Sequence, residues 1–285
     1  MKGKVVVITG ATSGIGAVAA AKMASMGARI VAIARDRSRG ETALARWRKA
    51  GPDANHRVYY ADVSVLQQTK RVAAEIAAAE PQIDVLINNA GALFDTRQVT
   101  SDGLELTFAT NHMSYFVVTL GLWDRLVSSA PSRIINTSSE AHRRMKMDFG
   151  DLQSVQGYSP LKSYGRSKLS NILFTRELAR RLKGTGVTAN CLHPGFVNTR
   201  FGDDARGLLG LAFRFAKRGF AISMEKGAET IIYLASSPEV NGVTGEYFYQ
   251  CRTKMPTTEA QDDEAGKRLW EESEKLAGNL SQISA

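Results

Sequence analysis

Short apolar, β-branched runs alternate along the chain with longer segments rich in alanine and other helix formers. Runs of this kind predict strands, and the segments between them predict helices. The six predicted strands are residues 4–9, 29–34, 56–61, 83–88, 132–138 and 187–193. Strands that alternate with helices indicate an α/β fold with a doubly wound parallel sheet and helices on both faces. Ligands bind outside the carboxyl ends of the strands in such sheets, so function is expected in the loops there.

The composition limits the size and the environment of the protein. With 285 residues, 44% hydrophobic and 23% charged, the chain is predicted to form one domain, 1–285. Cys191 and Cys251 are isolated, so we expect no disulfide framework, no metal site and a reducing, cytoplasmic location. The apolar run that begins at Val5 is too short for a signal sequence or a membrane span, so no stable membrane insertion is expected. The formal net charge of +9 is scattered among 28 acidic residues, so no nucleic-acid partner is expected.

A glycine-rich stretch follows the first predicted strand. It reads TGATSGIG over residues 9–16 and leads into a predicted helix. Glycines allow a tight turn and a close backbone approach, and the N-terminus of a helix attracts a pyrophosphate. The spacing differs from the usual G-x-G-x-x-G of dinucleotide-binding loops, and a plain strand-to-helix connection is the alternative.

Polar residues also follow the later strands. Asp62 follows the third, NNAG (88–91) the fourth, and the pair Ser138 and Ser139 the fifth. Next, SYGRSKLSN (163–171) places a tyrosine and a lysine four residues apart on a predicted helix, about one turn or roughly 5.4 Å from each other. A lone Tyr-x-x-x-Lys usually marks only a solvated helix face, so its meaning depends on the surrounding motifs. The sixth strand runs into HPGFVNT, residues 193–199.

These motifs occur together and in a fixed order. T-G-x-x-x-G-x-G, N-N-A-G, a serine, Y-x-x-x-K and P-G follow one another between residues 5 and 200. In this the chain resembles the short-chain dehydrogenase/reductase family. The resemblance implies a single Rossmann-type doubly wound parallel sheet and an NAD(P)-dependent enzyme that acts on CH–OH groups.

The resemblance also implies which residues hold the cofactor and which carry the reaction. The expected cofactor-binding residues are Gly10, Thr12, Ser13, Gly14, Ile15, Gly16, Arg35, Asp62, Val63, Asn89, Ala90, Gly91, Tyr164, Lys168, Pro194, Gly195, Val197 and Thr199. Among them, the glycine loop would approach the pyrophosphate, and Asp62 and Val63 would hold the adenine. The expected catalytic residues are Asn111, Ser139, Tyr164 and Lys168. Ser138 is the alternative to Ser139, because that choice rests on register.

The tyrosine and lysine have a chemical reason to be neighbours in such an enzyme. Hydride transfer to a carbonyl leaves an alkoxide, which must receive a proton from an acid in the same pocket. A free tyrosine, with a pKa of about 10, holds its proton tightly, and an ammonium one turn away would lower that pKa. Tyr164 is therefore predicted to be general acid in reduction and general base in oxidation. Ser139 would hold the carbonyl oxygen, and Asn111 would order a water that connects Lys168 to solvent.

Later segments resemble one branch of this family. Ser139 and Tyr164 are 25 residues apart, a longer separation than in most members. That segment, GEYFYQCR and AGKRLWEESEKL resemble the retinol dehydrogenase-like branch. The expected substrate is an apolar alcohol, aldehyde or ketone. Two alternatives stay open: a nucleotide-sensing regulatory protein without turnover, which would be expected to lose the Tyr or the Lys, and an isomerase or dehydratase on the same fold.

The end of the second predicted strand bears on the choice between NADP and NAD. NAD-dependent members usually carry an acidic residue at the last strand position, which here is Ala34. Arg35 follows, and its guanidinium would bind the 2′-phosphate of NADP, with Arg37 or Arg39 as helpers. NADP is therefore the expected cofactor. NAD is the alternative, because an error in register would make Asp36 the ribose ligand.

Three further expectations concern the periphery of the fold. Residues about 200–224 are predicted to form an amphipathic substrate lid, with core packing or weak attachment to an anionic membrane surface as alternatives. A helical extension is predicted at about 257–279. Family members commonly pair through helices that correspond to 103–129 and 162–183, so a homodimer or homotetramer is expected.

The histidines offer no metal site in the sequence. His112 and His142 have no ligand spacing to a partner, so they are expected to be structural or surface residues.

Overall fold

The described residues of the protein, 1–197 and 222–278 of a computed structural model, contain eight strands in one sheet. The strands are β1 (Val5–Thr9), β2 (Arg29–Ala34), β3 (Arg57–Tyr60), β4 (Val85–Asn88), β5 (Ser132–Thr137), β6 (Val187–Leu192), β7 (Tyr247–Tyr249) and β8 (Arg252–Thr253). Their order across the sheet is β3-β2-β1-β4-β5-β6-β7-β8. All neighbours are parallel except β7 and β8, which form an antiparallel pair. The predicted Rossmann-type parallel sheet is therefore confirmed.

Helices connect the strands and cover both faces of the sheet. They are α1 (Gly14–Ser25), α2 (Arg37–Ala50), α3 (Leu66–Ala79), α4 (Leu106–Phe108), α5 (Ser114–Gly121), α6 (Trp123–Ser128), α7 (Pro160–Arg181), α8 (Met224–Ser236) and α9 (Asp263–Ala277). A π-helical turn, Ala109–Met113, joins α4 to α5. Short 3₁₀ turns lie at Glu140–His142, Pro238–Val240 and Thr258–Gln261.

Alternating residues of the strands divide the core between the two faces of the sheet. On β1, Val6 and Ile8 pack in one buried cluster with residues of α1, α2 and α8, including Trp47. Val7, between them, packs in the other cluster with residues of α3, α5, α7 and α9. Both faces of the central strands are buried, which explains why these strands read as continuous apolar runs in the sequence.

The C-terminal helix α9 packs across α5 and α7. The Trp270 ring is stacked on Phe174 with ring centres 5.7 Å apart, and it meets Phe116 edge-on at 5.1 Å. Arg176 of α7 is paired with Asp263 at the start of α9, 3.0 Å away. Helix α9 lies within the predicted extension at about 257–279, and it covers part of the helices through which subunit pairing was expected.

The predicted and observed elements differ in a few places. All six predicted strands are present, each within two residues at either end, whereas the short strands β7 and β8 were not predicted. Of the predicted lid, only residues 222–224 are described, and the rest lies outside the described residues. Across residues 1–197 and 222–278, no helix is long and apolar enough to cross a membrane.

Candidate active site

A cleft of about 800 Å³ opens at the carboxyl ends of the strands. The loops after β1, β4, β5 and β6 line it, together with α7 and the β7–β8 hairpin. The strand order reverses between β1 and β4, which is where a doubly wound sheet places its ligand. The predicted site residues in the lining are Gly10, Ser13, Gly14, Ile15, Asn89, Ala90, Gly91, Ser139, Tyr164, Lys168, Pro194, Gly195 and Val197. Those outside the lining are Thr12, Gly16, Arg35, Asp62, Val63 and Asn111, and Thr199 lies outside the described residues.

The glycine loop needs to lack side chains at two positions. Gly10 has a φ of +71°, and a Cβ there would lie 2.9 Å from the backbone of Ala90. A Cβ on Gly16 would lie 2.3 Å from the carbonyl oxygen of Gly10, so Gly16 allows α1 to approach the loop rather than lining the cleft. Ser13 caps α1 without a side-chain hydrogen bond to the first turn. The cleft is thus walled here by a glycine turn and a helix N-terminus, a combination that fits a pyrophosphate.

The NNAG segment is tied to the glycine loop. The Thr9 hydroxyl oxygen accepts hydrogen bonds from the backbone N–H groups of Asn89 and Ala90, each 3.0 Å away. Asn89 Nδ2 donates to the carbonyl of Gly10 at 3.2 Å. These bonds fix two loops from adjacent strands against each other, so that Asn89 and Ala90 form one side of the cleft.

Asn111 lies in the π-helical turn and is fully buried. Its Oδ1 accepts from the backbone N–H of Ala92 at 2.8 Å, and its Nδ2 donates to the Ala92 carbonyl and to Ser167 Oγ, both at 2.9 Å. A Cβ on Gly91 would lie 3.2 Å from both Asn111 Oδ1 and Lys168 Nζ. Asn111 therefore sits behind the cleft wall at the place where Lys168 ends, and the π-helical turn places it there.

Ser139, Tyr164 and Lys168 meet at one end of the cleft. The Ser139 hydroxyl hydrogen-bonds to the phenol of Tyr164. Lys168 is buried, its Nζ donates to the carbonyl of Thr137 at 3.0 Å, and it lies 5.7 Å from the centre of the Tyr164 ring. One hydroxyl, one phenol and one amine therefore converge on the same space.

The two neighbouring serines are placed differently. Ser138 is buried, and its Oγ donates to the carbonyl oxygen of Lys168 at 2.7 Å. Ser139 is half-buried, and its Oγ accepts from the N–H of Ala141 at 3.2 Å while remaining next to Tyr164. Ser138 thus ties β5 to α7, whereas Ser139 presents its hydroxyl to the cleft.

Burial dominates the titration of the tyrosine and the lysine. It lowers the pKa of Lys168 to about 7, because the ammonium loses its water. It raises the pKa of Tyr164 to about 12, and the hydrogen bond from Ser139 offsets only part of that rise. The direction for Tyr164 is opposite to the one expected from the lysine alone, because the pocket desolvates the phenolate as well.

The residues after β2 separate the two cofactor alternatives. Strand β2 ends at Ala34, as predicted. Arg35 is exposed, with its Nη1 3.8 Å from Asp62 Oδ2. Asp36 is the N-cap of α2, and its Oδ1 accepts from the backbone N–H of Arg39 at 2.8 Å. Arg39 lines the cleft, whereas the Arg37 guanidinium lies over the Tyr60 ring, 4.3 Å from its centre.

The residues expected around the adenine are held by their own local bonds. Asp62 Oδ1 accepts from the backbone N–H and the hydroxyl of Ser64, at 3.0 and 2.7 Å. The carbonyl of Val63 accepts from Thr69 Oγ1 at 3.2 Å. Thr12 is half-buried in the glycine loop next to Ser13. These three positions are not part of the cleft lining.

Several residues of the cleft lining were not predicted, and among them Glu140, His193, Tyr249 and Lys254 form one polar group. His193 opens the HPGFVNT motif, so it had a sequence signal. Tyr249 and Lys254 reach the cleft only through the β7–β8 hairpin, whose five paired residues are too few for a periodic pattern.

The remaining polar candidates have structural contacts. His112 is buried with its Nε2 2.8 Å from Ser273 Oγ of α9, and burial lowers its pKa to about 3. His142 is buried and its Nδ1 lies 2.7 Å from the carbonyl of Ser139. Cys191 and Cys251 are both free thiols. Within the described part of the chain, no three His, Cys, Asp or Glu residues come together in a group that could hold a metal ion.

The chain belongs to the short-chain dehydrogenase/reductase family. The model of the short chain dehydrogenase family matches residues 4–207, which include the glycine loop, NNAG, the serine pair, Y-x-x-x-K and P-G. Within the family, the chain falls in the retinol dehydrogenase-like branch. It is 42% identical to retinol dehydrogenase 14 of Mus musculus over 296 residues, which cover 98% of this chain and 87% of that protein. It is 40% identical to retinol dehydrogenase 13 of Homo sapiens over 284 residues, which cover 97% and 85%.

Solved structures agree with this assignment. An uncharacterised protein from Mycobacterium paratuberculosis is 31% identical, with a TM-score of 0.76 over 97% of this chain and 94% of that one. An NAD(P)-dependent gluconate 5-dehydrogenase from Beutenbergia cavernae, solved with bound NADP, is 26% identical, with a TM-score of 0.70 over 88% and 96%. The chain is therefore an oxidoreductase of the class that acts on CH–OH groups, and its fold is that of NAD(P)-binding proteins.

Proposed function

We propose that this chain is an NADP-dependent oxidoreductase that interconverts an apolar alcohol with its aldehyde or ketone, with Tyr164 as general acid and base. The observation that carries the proposal is the cleft itself. The glycine turn and the N-terminus of α1 line one end of the cleft, and Ser139, Tyr164 and Lys168 line the other. Because both groups line one cleft, the pyrophosphate of a bound dinucleotide would lie against the first end and its nicotinamide near the second.

The chemistry follows from which groups face the cleft. The bound cofactor supplies or accepts the hydride, and the protein must hold the substrate oxygen and move its proton. Ser139, already bonded to Tyr164, would donate a hydrogen bond to that oxygen. Tyr164 would give its proton during reduction and take it back during oxidation. The bond from Ser138 to Lys168 supports Ser139 for this task, because the Ser138 hydroxyl is used within the fold.

Lys168 and Asn111 would restore the proton. With a pKa lowered to about 7 by burial, Lys168 can exchange between ammonium and amine near neutral pH. As an ammonium it favours the phenolate of Tyr164 and can hold the cofactor ribose. Asn111 is proposed to order a water beside Lys168 Nζ, where Gly91 leaves room for both groups. Its bonds to Ala92 and Ser167 keep the amide fixed for that purpose.

The preference for NADP rests on Arg35 and Asp36. Asp36 is occupied as the N-cap of α2, and it follows the strand by two residues, so it is poorly suited to hold a ribose hydroxyl. Arg35 is exposed directly after β2, where the 2′-phosphate of NADP would lie, and Arg39 lines the cleft nearby. Asp62 and Val63 at the adenine, and Val197 and Thr199 at the nicotinamide, remain part of this proposal.

Assembly and location are also proposed. The two free thiols support the expected reducing, cytoplasmic location. A homodimer or homotetramer stays a proposal, and because α9 covers part of α5 and α7, pairing would have to use the surface of these helices that α9 leaves uncovered. Light scattering tests it: a 31.0 kDa particle at all micromolar concentrations would contradict an oligomer.

A screen of alcohols and carbonyl compounds, followed by NADPH absorbance, tests the proposed reaction. Retinal and retinol belong in the panel because two relatives are named retinol dehydrogenases. Tyr164→Phe removes only the transferable proton, so turnover of the best substrate should fall at least about a hundredfold while NADPH affinity barely changes. Wild-type turnover in the Phe variant would exclude Tyr164 as the acid. A regulatory protein or an isomerase would show no net NADPH oxidation with any compound.

A further inference from the structure

A charged group lies on the cleft wall beside the candidate catalytic residues. Glu140 directly follows Ser139, and its Oε2 lies 3.1 Å from His193 Nε2 and 3.3 Å from Lys254 Nζ. Lys254 also lies over the Tyr249 ring, 4.8 Å from its centre, and the His193 ring is stacked on that of Tyr249 at 4.1 Å. All four side chains line the same cleft as Ser139.

His193 is neutral in this arrangement. Its Nδ1 accepts a hydrogen bond from the backbone N–H of Gly195 at 3.3 Å, so its proton is on Nε2, which points to Glu140. Burial lowers the pKa of His193 to about 4, which keeps the ring neutral at physiological pH. His193 therefore orients the carboxylate of Glu140 without changing the charge of the group.

The charges of Glu140, Arg143 and Lys254 do not cancel. The Glu140 carboxylate is paired with Arg143 as well as with Lys254. Burial alone would raise the pKa of Glu140, but the hydrogen bonds from Arg143 and Lys254 lower it, so the carboxylate is ionised. The Glu140 carboxylate faces two cations, Arg143 and Lys254, so one positive charge is left over. Of these two cations, Lys254 lines the cleft.

Other parts of the cleft are apolar. Leu93, Leu161 and Phe196 belong to the same lining. Leu161 is 52% exposed and Phe196 is 39% exposed, so both present apolar surface to the cleft. The cleft thus offers an apolar surface together with the Lys254 ammonium on the wall that carries Glu140 and His193.

We propose, on the basis of the oxidoreductase function above, that Lys254 binds an anionic or strongly hydrogen-bond-accepting group of the substrate, such as a carboxylate, away from the reacting carbon. The substrate is then amphipathic: its carbonyl meets Ser139 and Tyr164, its apolar body contacts Leu161 and Phe196, and its acidic end reaches Lys254. Glu140 limits the strength of this site, because it holds part of the lysine's charge.

Two substrates that differ only at the far end test the proposal. Wild-type protein is assayed with NADPH and either 9-oxononanoate or nonanal, and we expect a higher kcat/KM for the acid. Lys254→Met should reduce the ratio of the two constants by about tenfold, as expected for the loss of one charge-assisted hydrogen bond. Lys254→Arg should keep most of the preference, and Glu140→Gln, which removes the opposing charge, should increase it.

Arg252→Met is the matched control. Arg252 is an exposed cation on β8 outside the cleft lining, so its loss should leave the ratio unchanged. A wild-type protein without preference for the acid, or a Lys254→Met variant with the wild-type ratio, would overturn the proposal. If the wild type reduces neither aldehyde, the oxidoreductase proposal fails for this substrate class, and calorimetry with nonanoate and 1-nonanol decides on Lys254 separately. Equal affinities of wild type and Lys254→Met for nonanoate would then reject it.

Discussion

Ser138 Oγ donates a hydrogen bond to the carbonyl oxygen of Lys168, 2.7 Å away and inside the protein. This bond joins the end of β5 to the middle of α7, one turn after Tyr164. It leaves Ser139 as the serine whose hydroxyl faces Tyr164 in the cleft. The two serines are therefore expected to respond differently when each is replaced by alanine.

Ser139→Ala should lower kcat by about a hundredfold, the usual effect of removing one donor from a developing oxyanion. Ser138→Ala should instead leave the Lys168 carbonyl without its partner and lower the free energy of unfolding by about 1 kcal/mol, with little change in kcat. Steady-state kinetics and urea unfolding of both variants measure the two effects. A large loss of kcat in Ser138→Ala with a normal Ser139→Ala would reverse the assignment.

The sequence predicted the cleft's motifs but not how their atoms are used. The order of motifs was sufficient to predict that Tyr164, Lys168 and one serine would share a site. It favoured Ser139 over Ser138 on register alone, because the direction in which each hydroxyl points is not visible in the sequence. It could not show that burial raises the pKa of Tyr164, because burial depends on residues that surround the pocket from several strands.

Burial of Lys168 should make stability depend on pH. Its pKa is about 7 in the folded protein and about 10.5 when solvated, so between these values the unfolded chain binds more protons. The free energy of unfolding therefore rises with pH across this window, and the penalty for the buried ammonium is complete only below pH 7. From pH 7.5 to pH 9 the expected gain is about 2 kcal/mol.

Lys168→Met removes that dependence. Urea unfolding at several pH values gives the free energy of unfolding of the wild type and of the variant. Other titrating groups, such as Cys191, are present in both proteins, so their effect largely cancels in the difference between the two free energies. Between pH 7.5 and pH 9, we expect the free energy of unfolding to rise more in the wild type than in the variant. Parallel curves would mean that Lys168 titrates at its ordinary pKa in the folded protein.

Trp270 anchors α9 in an aromatic cluster with α5 and α7. It is 2% exposed, packs against Phe116 and Phe174, and lies under the Arg181 guanidinium at 4.2 Å. Trp270→Ala should lower the free energy of unfolding by about 3 to 5 kcal/mol. Trp123→Ala is the control, because Trp123 is only half-buried and should cost less. If Trp270→Ala lowers the free energy of unfolding no more than Trp123→Ala does, the packing of α9 contributes little to the stability of this face.

The central strands of the sheet were easier to predict from the sequence than the short strands β7 and β8 at its edge. The central strands β1, β2, β4, β5 and β6 are largely buried on both faces, so their apolar runs were visible in the sequence, and β3 at the sheet edge is only half-buried. Strand β7 has three residues and β8 has two, and they exist because Tyr247 and Phe248 extend the sheet beside β6. Such short strands depend on pairing with distant residues rather than on their own pattern. The same hairpin carries Tyr249 and Lys254, which is why this side of the cleft was not predicted.

Replacing Arg35 should affect the binding of NADPH but not that of NADH. A phosphate-bound guanidinium contributes about 1.5 to 3 kcal/mol, which is roughly ten- to a hundredfold in affinity. Arg35→Ala should therefore raise the KM for NADPH by about that factor and leave the KM for NADH, which lacks the 2′-phosphate, nearly unchanged.

Asp36 provides the matching pair of variants for this test. Asp36→Asn keeps an N-cap on α2, whereas Asp36→Ala loses the bond to Arg39 and should cost about 1 kcal/mol of stability. If Asp36 only caps the helix, Asp36→Asn should use both cofactors as the wild type does. If it held the cofactor ribose, the wild type would prefer NADH, and Asp36→Asn would weaken its use of NADH. Specificity constants for both cofactors in wild type, Arg35→Ala and Asp36→Asn decide the question, and a wild-type preference for NADH would by itself reject the assignment of NADP.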